Sequence, residues 1–275
     1  MVRTSQATVF SIDLALHRML GKAYATPINT TLNEKFTILQ SEPIPEGTYP
    51  ELKYFVIGVG GNNVIEGNGK YNFSEHSPLD GALFKHVPFI MKPVSQDLTA
   101  EEAADYRLRV VETISGVQYA CYYAKVMPAA ELKNFFYSIR TINGGTSVSA
   151  PTLSVLDTNN SEILNPTPRV RELTYNNNTT TEYITKIAKV VFKLNQEEIA
   201  ALENVFKLKN ITGSQITEIG ICSGLDKTLS TQKKEVYACQ IMYHVGVNLS
   251  LALDLSSGEI INKTIEIGGS EPLLK

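Results

Sequence analysis

Between positions 237 and 255 every odd residue is apolar or aromatic: Tyr237, Cys239, Ile241, Tyr243, Val245, Val247, Leu249, Leu251, Leu253 and Leu255. Successive side chains on a pleated backbone point to opposite faces, so a period of two marks an extended strand with one face turned inwards. A helix, with about 3.6 residues per turn, would scatter the same residues around its whole circumference. At about 3.3 Å per residue the run would extend roughly 60 Å, several times an ordinary strand. It therefore predicts a bend or bulge near Gly246, giving either two paired strands or one strongly curved strand.

The rest of the chain repeats this β character, with a few helical signals between. Val9, Ile12, Leu16 and Leu20 recur at three or four residues, the stripe of a short amphipathic helix. Tyr54 to Val59 is continuously apolar and reads as a buried strand, followed by a Gly- and Asn-rich turn over 60–69. Residues 85–93 read as extended, because Pro88 and Pro93 bias their predecessors away from the helical region. Tyr106, Leu108 and Val110, then Val117, Tyr119, Cys121 and Tyr123, predict a hairpin closed at Ser115-Gly116. Thr99 with Glu102, and Asn195 with Glu198, have capping-box spacing. The first predicts a short helix through Asp105; the second predicts one carrying Ile199, Leu202, Val205 and Phe206 on its apolar face. Ile216, Ile219 and Ile221 resume strand character before a charged, flexible stretch from Asp226 to Lys234, and a final strand is expected over 260–267 after a turn at 256–258.

These elements define a mainly β chain, with a minor α+β component: antiparallel, β-sandwich-like domains with a few short helices. Its 275 residues allow two domains of ordinary size. Between 141 and 182 the composition turns to Asn, Thr, Ser, Gly and Pro. The expected division is an N-terminal β-rich domain with a leading helix over 1–140, an exposed loop or linker over 141–182, and a C-terminal antiparallel β domain over 183–275.

Composition narrows the chemistry. A net charge of −3 offers no general attraction to nucleic acid or anionic lipid, and Lys233 with Lys234 is too small a patch to change that. Cys121, Cys222 and Cys239 lie far apart without CxxC spacing, which supports neither zinc ligands nor a redox pair, and Cys121 and Cys239, among alternating aromatics, read as buried small hydrophobes. Asp13, His17 and Arg18 interrupt what would be the apolar core of a signal peptide, and no apolar run reaches the length of a membrane span. The expectation is synthesis in a reducing cytoplasm, without export.

No constellation of catalytic, cofactor-binding or metal-ligating residues emerges. Gly58-Val59-Gly60 follows a strand, but Asn63 stands where the third glycine of a dinucleotide fingerprint belongs and no helical period follows. His76 and His86, with Glu75 and Asp80 nearby, lack the tight ligand spacing of a zinc site and read as surface loop histidines. His244 falls on the face opposite Tyr243 and Val245 and is expected at solvent or an interface; His17 falls on the polar side of the first helix. Ser74 and Ser77 flank His76 without a nucleophile elbow. Two carboxylates brought together by the fold could still serve a hydrolase, although the chain has no tryptophan to stack on a sugar. Tyr119, Tyr122, Tyr123, Tyr237 and Tyr243 could form a carbohydrate or interface platform, or simply pack a sheet.

The stretch Ile216-Thr-Glu-Ile-Gly220-Ile, then a turn, then Val236-Tyr-Ala-Cys-Gln-Ile241 and the long alternation, resembles bacteriophage tail-fibre and tail-collar proteins. It covers about a fifth of the chain and departs from that pattern at 227–234, where a short acidic-glycine turn is usual. The segments 88–93 and 98–109 also have the general look of phage virion proteins. The resemblance implies a structural, non-enzymatic subunit of the neck, collar, tail or baseplate. Such a subunit would reside in the virion, form a homo-oligomer with other virion proteins as neighbours, and take no cofactor, nucleic acid or membrane as partner. A carbohydrate-binding or adhesin module is the alternative.

Overall fold

The computed structural model describes residues 5–64, 71–73, 75–143, 147–148, 152–155, 178–213, 215–251 and 261–272. In chain order the elements are β1 (Gln6–Ala7), α1 (Val9–Met19), α2 (Leu32–Phe36), β2 (Glu51–Gly58), β3 (Asn62–Val64), β4 (Tyr71–Phe73), β5 (His86–Val87), β6 (Ile90–Pro93), β7 (Tyr106–Ile114), β8 (Val117–Val126), β9 (Glu131–Asn143), β10 (Ser147–Val148), β11 (Thr152–Val155), β12 (Asn178–Leu194), α3 (Gln196–Leu208), β13 (Gln215–Thr228), β14 (Lys234–Ser250) and β15 (Ile261–Pro272). The chain is β-rich, with antiparallel sheets and few helices. An eight-stranded sheet has the order β1-β14-β13-β2-β8-β6, with β5 on β2 and β7 on β8; a second has the order β10-β9-β12-β15, with β11 on β9; β3 and β4 form a hairpin.

The long alternation is one strand, not two. β14 runs for 17 residues and absorbs its length through three register shifts against β13, each adding one residue on the β14 side. One shift lies between Gly246 and Leu249, and another coincides with Ala238, whose φ is +51°. Each bulge bends the strand and resets which side chains face which way. Positions 253 and 255 of the alternation, and the expected turn at 256–258, lie outside the described residues.

Two compact units divide the chain, one from residues 1–129 and 191–265, the other from 130–190 and 266–275. This differs from a cut at 140 and 183, because each unit is assembled from segments far apart in sequence. The Asn/Thr-rich stretch is not wholly a linker: β9 continues to Asn143, β12 already begins at Asn178, and β10 and β11 both pair with β9. Residues 156–177 lie outside the described residues.

In the first unit, β2 places Tyr54, Phe55, Val56 and Ile57 at 1% exposure or less in succession, so both faces of the sheet are covered there. Tyr54 and Val56 join a cluster with Leu32, Leu108, Cys121, Cys222, Cys239 and Ile241, while Phe55 meets Phe192 edge to face at 5.2 Å. The hairpin β7–β8 closes as expected, with Ser115 and Gly116 at φ +49° and +81°. Asn195 and Glu198 form the capping box of α3, which buries Ile199, Leu202, Val205 and Phe206. Thr99 and Glu102 also make their reciprocal bonds, but the segment after them forms turns and no helix. Nor is 226–234 a free loop: β13 continues through Asp226 to Thr228, and Asp226 binds Arg107 Nε at 2.6 Å and Lys53 Nζ at 2.9 Å.

Candidate functional site

Glu218 on β13 and His244 on β14 are 2% and 3% exposed, and the segment 75–86 folds over them. His76 Nε2 lies 2.9 Å from Glu218 Oε2, and its Nδ1 lies 3.1 Å from Asp80 Oδ2. The same ring stacks against both Phe84 and His244, with centroids 3.9 Å apart and planes 11° apart in each pair. Glu218 also accepts from two backbone amides, Gly60 N at 2.5 Å and Phe84 N at 2.9 Å. His244 Nε2 donates to the Asp80 carbonyl at 2.9 Å. His86 Nε2 accepts from Leu83 N at 2.9 Å.

Burial pushes the His244 imidazole down to about 4 and, joined by nearby Lys35, the His86 imidazole down to about 3, so both rings are neutral at pH 7. The Nδ1 atoms of both are buried without a hydrogen-bond partner. The result is a clasp: one buried carboxylate ties the 58–61 turn, the 75–86 segment and the sheet together. Local sequence permits it through glycine. A Cβ on Gly60 would stand 2.6 Å from Phe84 Cβ and 2.9 Å from the Lys85 amide, and one on Gly58 would stand 2.8 Å from Glu218 Oε1. Gly58-Val59-Gly60 thus serves close approach to a carboxylate and not to pyrophosphate.

The clasp also fastens the N-terminal helix. β1 pairs with β14 at Gln6↔His244 and Ala7↔Tyr243, Thr8 Oγ1 donates to the Ile241 carbonyl at 2.8 Å, and Val9 N donates to the Pro78 carbonyl at 2.9 Å. Phe10 is the buried residue of α1. The predicted apolar stripe faces the other way. Val9, Ile12, Leu16, Met19 and Leu20 are 39%, 58%, 47%, 75% and 69% exposed, and Leu79, next to Pro78, is 70% exposed.

Other polar groups in the described residues pair with one another. A cleft of about 420 Å³ is lined by Phe55, Lys125, Met127, Lys193 and Glu198, with Lys125 and Glu198 paired. A second, of about 230 Å³, holds Asp97 in bonds from Arg109 Nε at 2.9 Å, Lys233 Nζ at 2.8 Å and Tyr122 Oη at 2.7 Å. Buried Glu235 accepts from the amides of Leu108, Arg109 and Val236. Among the described residues no three His, Cys, Asp or Glu side chains are placed to hold a metal ion, and no helix is long and apolar enough to cross a membrane.

A family model described as a family of unknown function, DUF7208, matches residues 2–275. The chain belongs to the DUF7208 family. No curated protein and no solved structure matches it.

Several sequence expectations change in this DUF7208 chain. His76 is not a surface residue, since its side chain is only 7% exposed, and His86 has a buried ring nitrogen. His244 is not at solvent, because the His76 ring stacks on it and the Asp80 carbonyl takes its Nε2, both from the 75–86 segment. Glu75 stays exposed, while Asp80 joins His76. His17 keeps to its helix, with Nδ1 3.1 Å from Asp13 Oδ1. Cys121, Cys222 and Cys239 are buried and free. Of the tyrosines, Tyr122 and Tyr123 are buried, and their hydroxyls donate to Asp97 and Glu112. Sequence reasoning missed Glu218 altogether; its only local trace is the glycine-rich turn it needs.

Proposed function

We propose that this DUF7208 protein is a structural subunit of a bacteriophage particle, in the neck, collar, tail or baseplate region, that assembles with other virion proteins and offers an attachment point for fibres. The observation that carries the reading is the uncovered apolar stripe of α1. A helix secured to the sheet by backbone bonds, with its larger apolar face left outside, gains from association with another surface. The resemblance to tail-fibre and tail-collar proteins adds support, since its two segments are neighbouring strands, with Ile221 opposite Tyr243 in the register. The carbohydrate-binding alternative has less support, because Tyr122 and Tyr123 present neither ring face nor hydroxyl to solvent.

The test is the mass of the full chain in solution together with mass spectrometry of purified phage particles from the genome that encodes it. The expected result is association in solution and several copies per particle. A strictly monomeric protein absent from purified particles would sink the proposal.

A further inference from the structure

We infer that the seam along α1 is covered by α1 of a second copy of this chain, packed antiparallel about a two-fold axis beside position 14. The observation behind this is the spacing of the uncovered residues. Val9, Ile12, Leu16 and Met19 follow at three, four and three residues, the a/d pattern of two successive heptads. Together with Leu20 at its C-cap they are the large apolar residues of this helix that stand out from the protein. A strict a/d seam is the narrow stripe by which one helix packs along another.

Among the described residues, no other helix of two turns or more offers such a seam. α3 buries Ile199, Leu202, Val205 and Phe206 within its own unit, and α2 has five residues. The natural complement is therefore the same seam on another copy, and its spacing is self-complementary. In an antiparallel pair Val9 lies across from Met19 of the second copy and Ile12 across from Leu16, so a single axis satisfies all four positions. A twofold contact requires this reciprocity.

Charge selects the direction. Arg18 and Lys22 are exposed at the C-terminal end of the helix. A parallel pair would bring four positive charges to one end, whereas the antiparallel pair separates them and sets the helix dipoles head to tail. Area fits as well. The five exposed side chains leave on the order of 500 Å² of apolar surface, towards the upper end of the largest patch on a typical monomer. A stable dimer covers roughly 800 Å² per partner. Leu79, beside the N-terminal end of the helix, begins the rim that makes up the difference.

Sedimentation equilibrium of the full chain and of two single variants, Ile12→Lys and Leu16→Glu, tests the inference. Both positions are exposed, so the far-ultraviolet circular dichroism spectra of the variants should match the wild type and show that each folds. Each variant alone places unpaired charge in two seam layers and should weaken dimerisation at least ~100-fold. Mixed in equal amounts, the two variants set the introduced lysine of one copy across from the introduced glutamate of the other, and dimers should return. A monomeric wild type, an oligomer whose mass neither variant changes, or a mixture that stays monomeric would each overturn the inference. It rests on the virion reading only in taking α1 for a contact surface, so the two can fail separately. A chain monomeric in solution but present in particles removes the dimer alone, and a seam-dependent dimer absent from particles removes the virion role alone.

Discussion

Glu218→Ala is the most informative single substitution, because one side chain closes three long-range contacts. It removes the acceptor for Gly60 N, Phe84 N and His76 Nε2 at once, at a position 2% exposed. Each buried donor left without a partner costs about 1–3 kcal/mol. Part of the three-donor sum is recovered as the 58–61 turn loosens and admits water, which leaves about 4 kcal/mol. That is a large part of the roughly 5–15 kcal/mol that holds a typical domain folded. Glu218→Gln keeps the volume and one acceptor but turns an NH₂ towards a remaining donor, so about 2 kcal/mol is expected. Urea unfolding reports the total. Hydrogen exchange at the Gly60 and Phe84 amides reports the site, and their protection should fall roughly 1,000-fold in the alanine variant. Exposed Glu101→Ala should stay within about 0.5 kcal/mol. If Glu218→Ala unfolds within 1 kcal/mol of wild type, and both amides keep their protection, the clasp is not what holds the segment down.

Four further outcomes follow from the structure. His244 and His86 have folded-state pKa values depressed to about 4 and about 3. Stability should therefore be full above about pH 6.5 and fall as the unfolded histidines take up protons, by up to about 1.4 kcal/mol per pH unit for each, with the loss levelling off below their folded values. Urea midpoints of His244→Gln should show a shallower slope between pH 6.5 and 4, and an unchanged slope would contradict the assignment. Asp226, held down to about 2 chiefly by its bonds from Arg107 and Lys53 despite burial that opposes this, should produce a separate loss as pH drops below about 4, absent in Asp226→Asn. Gly60→Ala should destabilise by about 1–3 kcal/mol in thermal melts, since its Cβ meets Phe84 Cβ and the Lys85 amide. Cys121, Cys222 and Cys239 should resist a thiol reagent until urea unfolds the chain, because all are buried, and burial pushes the Cys121 thiol up to about 12 and raises that of Cys222 well above the ordinary thiol range; modification of the native protein would show that the core opens.

The parts of this fold legible in the sequence are those decided by neighbours. Asn195 and Glu198 lie three residues apart and cap α3 wherever that helix is placed. Ser115-Gly116 turns β7 back on β8 because both residues can take positive φ between strands of matching period. The Thr99 pattern shows the limit of such signals: the capping bonds form, but the segment stays in turns, since a cap begins a helix without supplying a face to bury.

The candidate site was legible only in outline. α1 was visible as an amphipathic stripe, while the glycines at 58 and 60 showed only as a dinucleotide fingerprint that fails at Asn63. What approaches them is Glu218, whose contact with His76 spans 142 residues, and no local pattern encodes a partner at that distance. The same holds for His244, which the alternation assigns to an outer face until the 75–86 segment covers it.

The alternating run from position 237 determined by itself that a long strand would form, because steric preference and side-chain period act within a few residues. Which of its side chains are buried was decided by the tertiary structure, through three bulges on β14 and the segments laid over the sheet. The direction of the α1 stripe was decided the same way. Thr8, Val9 and Phe10 fix the helix to β14, the Pro78 carbonyl and the core, and those contacts, rather than the hydrophobicity of the stripe, set which face meets solvent.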